Sequence, residues 1–318
     1  MGVYHVSGLG VNPGALSVPL STVYILQIGQ NLGIEAARNF FASSGEAERK
    51  GSQEKTRGQV ECVIVFTSKE VAEGKRLEDC KSRWFQLDFK KVKSLAEVYS
   101  KFFSRLFDHI EKDFGFRPKD FELYVVRVDH TNFEDCFIKI GTTLKALTGK
   151  EIWANMVGGT NQINMATLTA GAYIATVSKY YYLFQNDPKL LEPEWAEKPK
   201  KENIESLVIS AIEKWYEIPI FNLDLGKIIT RLRDEFSVRK KINVGELQQL
   251  LQDLGLSKDY IPKLRNFLVI KDDFVEKGPI FDRLVTFWQK LDEIGIKNFK
   301  EWKEWAEKEG ILSKIELF

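Results

Sequence analysis

Apolar and polar residues alternate over the first 186 residues in a pattern that predicts strands separated by helices. Short apolar runs indicate buried strands, and the segments between them carry apolar residues at helical spacing. The predicted strands are residues 3–6, 60–66, 84–89, 121–128, 152–157 and 180–184, and the predicted helices are residues 17–41, 94–114, 133–147 and one from Gln162 onward. Strands that alternate with helices predict parallel βαβ units, so we expect an α/β fold with a doubly wound, mostly parallel sheet.

The second half of the chain has a different pattern of predicted elements, with a proline-containing segment followed by mostly short helices. Pro188, Pro193 and Pro199 stand among lysines and glutamates, which predicts a linker over residues 187–202. Short helices are predicted at residues 204–215, 225–236, 244–254, 258–267, 279–294 and 299–309, with a small strand or wing at 269–275. The expected organisation is therefore a first domain over residues 1–186 and a mainly helical, winged-helix-like domain over residues 203–318. The polar segment 43–59 is expected to be a mobile loop or a disordered insertion.

Composition narrows the class of protein. A hydrophobic fraction of 44% is ample for a core, and a net charge of +1 gives no global attraction to nucleic acid or membrane. Cys62, Cys80 and Cys136 form no C-x-x-C motif, so neither a zinc site nor a disulfide framework is indicated, which fits a reducing cytoplasm. We find no signal peptide and no apolar run near the ~18 residues of a membrane span. No metal or cofactor is predicted.

Polar and glycine-rich residues follow several predicted strands. In a doubly wound sheet, ligands bind beyond the carboxyl ends of the strands, so these residues are expected to meet at one edge. A strand, a glycine turn and a helix also place backbone N–H groups where they can face an anion or a ribose hydroxyl, although the glycines alone could serve only to make a tight turn. The candidate ligand-binding residues are Gly8, Leu9, Gly10, Val11, Asn12, Thr67, Ser68, Asp129, His130, Thr131, Gly158, Gly159, Thr160 and Gln162.

Common nucleotide-binding motifs do not fit these turns. Gly8, Gly10 and Gly14 read G-x-G-x-x-x-G, and no carboxylate stands at the tip of the second strand, which argues against NAD binding. The chain has no G-x-x-x-x-G-K-[ST] motif, so a P-loop is excluded. Of the three histidines, His5 and His109 are expected to be structural, and only His130 stands at a strand end.

Charge in the second domain bears on DNA binding. Residues 196–318 hold 22 Lys and Arg against 22 Asp and Glu, whereas a DNA-reading domain usually carries a basic face. The local basic cluster consists of Arg231, Arg233, Arg239, Lys240 and Lys241. It could contact phosphates, but a solvated helix end explains it at least as well.

The turn Gly158-Gly159-Thr160-Asn161-Gln162, preceded by Asn155 and followed by Ile163, resembles a motif of the CARF family. These are the CRISPR-associated Rossmann-like sensor domains of type III antiviral systems. The resemblance covers about the first 186 residues. It implies a Rossmann-like fold and a homodimer that binds cyclic oligoadenylate, most often the four-adenylate ring, across its two-fold axis. It also implies that Ser7 to Asn12 and Gly158 to Gln162 line that site.

Some CARF proteins cleave the ring without a metal, through attack of a ribose 2′-OH on the adjacent phosphorus. The resemblance implies a Ser in the first turn and a Lys after G-G-T as prominent residues. This chain has Ser7 in the first turn and Asn161 where the Lys would stand, so these two are the candidate catalytic residues and cleavage stays open. The alternatives are a ligand-gated DNA-binding regulator and an enzyme that acts on another small nucleotide.

Overall fold

The structure is a computed structural model that describes residues 2–42, 57–219 and 225–317. The segment predicted as a mobile loop lies mostly in residues 43–56, outside the described residues. The strands are β1 (Val3–Gly8), β2 (Val60–Thr67), β3 (Cys80–Ser82), β4 (Leu87–Phe89), β5 (Glu122–Arg127), β6 (Glu151–Asn155), β7 (Val177–Tyr182), β8 (Tyr216–Glu217), β9 (Lys241–Asn243), β10 (Leu268–Lys271), β11 (Phe274–Lys277) and β12 (Leu312–Ile315).

The helices agree closely with the apolar periodicity. They are α1 (Gly14–Asn31), α2 (Glu35–Phe41), α3 (Lys69–Ala72), α4 (Leu95–Phe114), α5 (Phe133–Ala146), α6 (Asn161–Ile174), α7 (Ile204–Lys214), α8 (Leu225–Val238), α9 (Val244–Asp253), α10 (Phe281–Ile294) and α11 (Phe299–Lys308), with a 3₁₀ helix over Lys258–Asn266. The single helix expected over residues 17–41 is two helices. The first ends at Asn31, because Gly33 takes a positive φ of 84° that a continuing helix cannot accommodate.

The main sheet, within the described part of the chain, has seven strands in the order β12-β5-β2-β1-β6-β7-β8. The five inner strands are parallel, and β12 and β8 are antiparallel edge strands. Helices cover both faces, so inner strands such as β2 are apolar along almost their whole length. The expected mixed α/β fold with a mostly parallel sheet is confirmed.

Alternate residues of each strand enter two different cores. Val63 and Val65 of β2 face a core shared with α1, α2, α4 and α7. Cys62, Ile64 and Phe66 face the opposite core, shared with α5, α6 and α11. Helix α1 is buried on nearly all sides because neighbouring helices enclose it against the sheet.

Residues 187–202, predicted to be a linker, are packed against the first part of the chain. Glu192 has no exposed surface, and one of its carboxylate oxygens accepts a hydrogen bond from the backbone N–H of Arg83 at 2.5 Å. The Arg83 guanidinium donates to the carbonyls of Pro193 and Glu194, and the Trp84 indole donates to that of Ala196. Proline and charge composition does not reveal such packing, because the contacts are made mainly by backbone carbonyls.

Helix α7 packs in the first core, and the chain from α8 onward forms a third core before it returns to the main sheet. Helix α8, strand β9, helix α9, the 3₁₀ helix and the β10–β11 hairpin follow one another, and β10, β11 and β9 pair in that order. Helices α10 and α11 then pack on α5, where the Trp302 indole donates to the Thr143 hydroxyl at 2.9 Å. Strand β12 finally pairs with β5, so the last residues belong to the sheet of the first part.

Candidate functional site

The carboxyl ends of β5, β2, β1 and β6 lie side by side at one edge of the sheet. Ser7 is the register partner of both Val65 and Asn155, and Thr67 is the partner of Arg127, so these strands end nearly level. The strand order reverses between β1 and β6, since β2 and β5 lie on one side of β1 and β6 and β7 on the other. Such a reversal is where open α/β sheets bind ligands. The candidate residues predicted from the sequence meet at this edge.

The two glycine turns are in direct contact. A methyl group on Gly8 would lie 2.9 Å from the Gly158 carbonyl and 3.0 Å from the Gly159 Cα, and one on Gly158 would collide with the Gly8 carbonyl. Gly159 also has a φ of 88°, which strongly favours glycine. Gly10, in contrast, borders open space. Three of the glycines therefore bring the turns together, while the fourth leaves the backbone open to close approach.

Ser7 lies beneath the turns with 2% of its surface exposed. Its hydroxyl donates to the Gly8 carbonyl at 2.8 Å and accepts from the Asn155 amide at 2.9 Å. Asn155, absent from the candidate residues, is itself 1% exposed. The sequence signal for Asn155 was its position just before the glycine turn. That position does not reveal its hydrogen bonds, because they form only when β1 and β6 pair.

Leu9 and Thr67 form the floor of the site. Both are buried, and the Thr67 hydroxyl donates to the Leu9 carbonyl at 2.7 Å. Ser68 is the N-cap of α3, where its hydroxyl accepts from the Val71 N–H at 3.4 Å. Val11 is half-buried, and its carbonyl accepts from the Glu78 N–H. The contacts of these four residues are thus made within the protein, by two side-chain hydroxyls and two backbone carbonyls.

The turn after β5 carries the polar groups Asp129, His130 and Thr131. The Asp129 carboxylate accepts hydrogen bonds from both the N–H and the hydroxyl of Thr131, and these bonds lower its pKa. The half-buried His130 offers its carbonyl to the Thr160 hydroxyl at 3.5 Å. This contact joins the β5 turn to the second glycine turn.

Helix α6 begins at the second glycine turn. Thr160 is its N-cap, with its hydroxyl 3.5 Å from the Ile163 N–H. Asn161, the first helical residue, is exposed, and Gln162 is half-buried. The amides of Asn161 and Gln162 thus stand at the rim, where a ligand over the turns would meet them. Asn12 in the first turn is half-buried.

The first turn of α1 is covered by the chain itself. A methyl group on Gly14 would collide with the Leu190 carbonyl and lie 2.9 Å from the Pro188 carbonyl. Backbone oxygens of residues 187–202 therefore occupy the space beside this helix terminus. Carbonyl oxygens at this position would repel an anionic group placed against the start of α1.

A pocket of about 490 Å³ opens at the ends of β2 and β5. It is lined by residues 68–70, 127–131, Lys139 and residues 310–311. Gly310 and Ile311 come from the C-terminal segment, and their carbonyls accept from the guanidinium and the backbone N–H of Arg127. The walls carry both signs of charge, because Lys139 pairs with Asp135 at 2.8 Å and Glu70 and Asp129 line the same space.

The other histidines lie outside this edge. His5 is buried within β1, its Nδ1 is 3.1 Å from the Tyr181 hydroxyl, and burial lowers its pKa to about 3. His109 on α4 contacts the Pro199 carbonyl through Nε2 at 2.7 Å, and burial lowers its pKa as well. Over residues 2–42, 57–219 and 225–317, no group of three or more His, Cys, Asp or Glu could hold a metal ion, and no helix could span a membrane.

The sheet order and the layered helices define an α/β protein consistent with a Rossmann-like fold. No protein-family model matches the chain. It is 47% identical over 319 residues to an uncharacterized protein of Archaeoglobus fulgidus, a match that covers 100% of this chain and 98% of that protein. The chain therefore belongs to the same family as this archaeal protein.

Among solved structures, the chain is similar to Enterococcus italicus Csm6 bound to cyclic hexa-2′-fluoro-hexa-dAMP. The TM-score is 0.34 and the identity is 11%, over 93% of this chain and 55% of that chain. The chain thus spans about half the length of that protein.

Proposed function

We propose that the protein binds cyclic oligoadenylate, in first place the four-adenylate ring, at the edge formed by its two glycine turns. The observation that carries the proposal is the direct contact of Gly8 with Gly158 and Gly159 where the strand order reverses. The sequence resemblance of this motif to the CARF family points to the same ligand. Type III CRISPR antiviral defence and a cytoplasmic location are part of the proposal, and all three cysteines are free and buried.

The chemistry of the rim suits such a ligand. Uncharged hydrogen-bond donors and acceptors surround the two turns. They are the exposed amide of Asn161, the half-buried amides of Gln162 and Asn12, and the backbone at Gly10, which borders open space. Ribose hydroxyls and phosphate oxygens can be satisfied by amides and backbone N–H groups of this kind. The covered terminus of α1 favours a ligand that rests across both turns.

A homodimer would place two such edges against one symmetric ring, because an isologous interface presents the same surface twice. Two apolar side chains flank the edge with large exposed fractions, Met165 on α6 at 58% and Phe184 just beyond β7 at 62%. A second copy of the chain would bury them. Size-exclusion chromatography with light scattering tests this part of the proposal, and a monomer both with and without ligand rejects it.

Ring opening is the activity we propose for this site. A ribose 2′-OH would attack the adjacent phosphorus, the bond to the 5′-oxygen would break, and a cyclic 2′,3′-phosphate and a 5′-hydroxyl would result. No metal is needed if the protein holds the hydroxyl in line with the breaking bond. The Ser7 hydroxyl is bonded to Gly8 and Asn155, and Asn161 replaces a cation, so we expect the reaction to be slow.

Two assays separate binding from cleavage. Calorimetric titration with cyclic tetra-adenylate tests the binding proposal, with cyclic hexa-adenylate as the competing ring size. Labelled cyclic tetra-adenylate incubated with excess protein in EDTA tests cleavage. One cleavage opens the ring to linear tetra-adenylate, and the same reaction at the opposite linkage gives linear di-adenylate, the expected final product. If the ligand binds and stays intact after long incubation, the binding proposal stands as that of a sensor and the proposed nuclease activity is rejected. Absence of binding to either ring would reject the whole proposal.

The second candidate function is a ligand-gated DNA-binding regulator. In its favour, the order helix, strand, helix, 3₁₀ helix and hairpin over residues 225–277 is that of a winged-helix domain. Against it, three of the five residues of the basic cluster form ion pairs within the chain: Arg233 with Asp234, Arg239 with Glu235 and Glu246, and Lys241 with Glu276. Phosphate contacts would have to break these pairs. Absence of a mobility shift with promoter DNA at low salt would reject this candidate.

The division into residues 1–186, 187–202 and 203–318 remains part of the proposal as a functional division. In this division, residues 1–186 bind the ligand and residues 203–318 carry out the response to ligand binding. The packing of residues 187–202 and the return of β12 to the main sheet imply that the two parts do not move independently.

A further inference from the structure

Asn155 joins the two glycine turns by three hydrogen bonds. Its Nδ2 donates to the Ser7 hydroxyl at 2.9 Å and to the Ala15 carbonyl at 2.9 Å, and its Oδ1 accepts from the Val157 N–H at 3.0 Å. Ser7 precedes the first turn, Ala15 lies in the first turn of α1, and Val157 begins the second turn. One side chain thus joins the end of β1, the start of α1 and the start of the second glycine turn.

The amide of Asn155 is fully used in this arrangement. It has two N–H donors and one oxygen, and each has a partner while the side chain is 1% exposed. Both donors are used within the protein, and the side chain is buried, so it has no N–H left to offer a ligand. Its bonds instead determine how closely Gly8 approaches Gly158 and Gly159.

We propose that Asn155 is a positioning residue, which holds the two glycine turns in register so that together they form the binding surface for a cyclic oligoadenylate. This inference rests on the proposed function and deepens it. Serine and threonine cannot replace the amide, because a hydroxyl has one donor and Asn155 uses two. Aspartate has the right shape, but as a carboxylate it only accepts, so the Ala15 carbonyl would face a negative oxygen.

The discriminating variant is Asn155→Asp, studied as a function of pH. The buried carboxyl would have a raised pKa, and in its protonated form it donates one hydrogen bond. The groups that face this position are Ser7 on β1, Tyr181 on β7 and the uncharged first turn of α1, with His5 and Lys179 further along the strands. Burial lowers the pKa of His5 to about 3 and raises that of Tyr181, so neither changes charge between pH 5 and pH 8.

We expect Asn155→Asp to bind cyclic tetra-adenylate at least about tenfold more weakly than wild type at pH 8, and to regain part of that loss at pH 5, where the protonated carboxyl restores one of the two donated hydrogen bonds. The matched control is Gln27→Glu, an amide-to-carboxyl change at a buried residue. Gln27 also donates to a backbone carbonyl, that of Gly58, which lies just before β2 at the end of the sheet opposite the glycine turns. The control should lose stability yet keep the wild-type affinity. Equal affinity losses in the two variants, or a loss in Asn155→Asp that does not depend on pH, would overturn the proposal.

Two further measurements keep the test informative. If Asn155→Asp does not fold, Ser7→Ala removes one of the three bonds and should weaken binding about threefold; unchanged binding would overturn the proposal. If wild type does not bind the ring, the proposed function fails. The positioning role of Asn155 can then still be tested by hydrogen exchange of the backbone amides in the two glycine turns. Asn155→Asp must then speed exchange at Leu9, Gly10 and Gly159 and leave α10 unchanged, and equal exchange at those turns would contradict it.

Discussion

Substitution of Gly158 by alanine tests the contact between the turns. The added methyl group would collide with the Gly8 carbonyl and lie 3.0 Å from the Ala15 Cβ, so the backbone of one turn must move. Gly158 has no positive φ, so the effect is steric rather than conformational. Overpacking of this kind costs roughly 1–3 kcal/mol, and the lower entropy of the unfolded alanine chain offsets about 0.4–1 kcal/mol. A net loss of about 1–2 kcal/mol in the free energy of unfolding follows.

The assay is thermal unfolding combined with titration of cyclic tetra-adenylate. For a chain of this length, the loss corresponds to a Tm decrease of roughly 1.5–3 °C. The matched control for stability is Gly10→Ala, because a methyl group on Gly10 meets no atom within 4 Å. We expect that control to be as stable as wild type. Equal Tm values for Gly158→Ala and Gly10→Ala would show that the turns are not packed as described.

Three further predictions concern stability. Gly171→Ala should be strongly destabilising because its methyl group would collide with the Tyr180 hydroxyl, and Tyr180→Phe should restore much of the loss in a double-mutant cycle of urea unfolding. Ala175 has a φ of 57° at the end of α6, so Ala175→Gly should raise the free energy of unfolding, measured by urea titration, by up to about 1 kcal/mol, and a lower free energy would contradict this. The pKa of His5 is about 3 in the folded protein against 6.5 in the unfolded chain, so neutral His5 favours folding above pH 6.5 and that contribution is lost as the pH falls towards 3. At pH 5 the loss is about 2 kcal/mol, and it should vanish from the pH dependence of unfolding in His5→Gln.

The strands and helices of the first part were largely predictable, because each has a strong local pattern. The apolar run of β2 and the stripe of Val98, Phe102, Leu106 and Ile110 on α4 determine their own periodicity. The place of the candidate site followed from one topological rule, that parallel strands end at a common edge. Sequence reasoning therefore found the edge and most residues around it.

Other features depended on partners distant in sequence. Strand β12 is four residues long, and its assignment rests on pairing with β5, about 190 positions earlier. The buried Glu192 resembles a linker residue until its bond to the Arg83 backbone is seen. Asn155 similarly acquires its role only when β1 and β6 pair and bring Ser7 and Ala15 within reach.

The sequence by itself determined the class of fold, the positions of the main elements and the two glycine turns, because periodicity and glycine conformation are local properties. Tertiary structure alone decided which glycines are needed for close packing. It also decided which polar side chains form hydrogen bonds within the protein beneath the turns and which remain accessible at the rim. It also decided that carbonyls of residues 187–202 cover the start of α1. Hydrogen bonds and steric contacts between distant segments arise only when the chain is folded, so no local pattern could have revealed them.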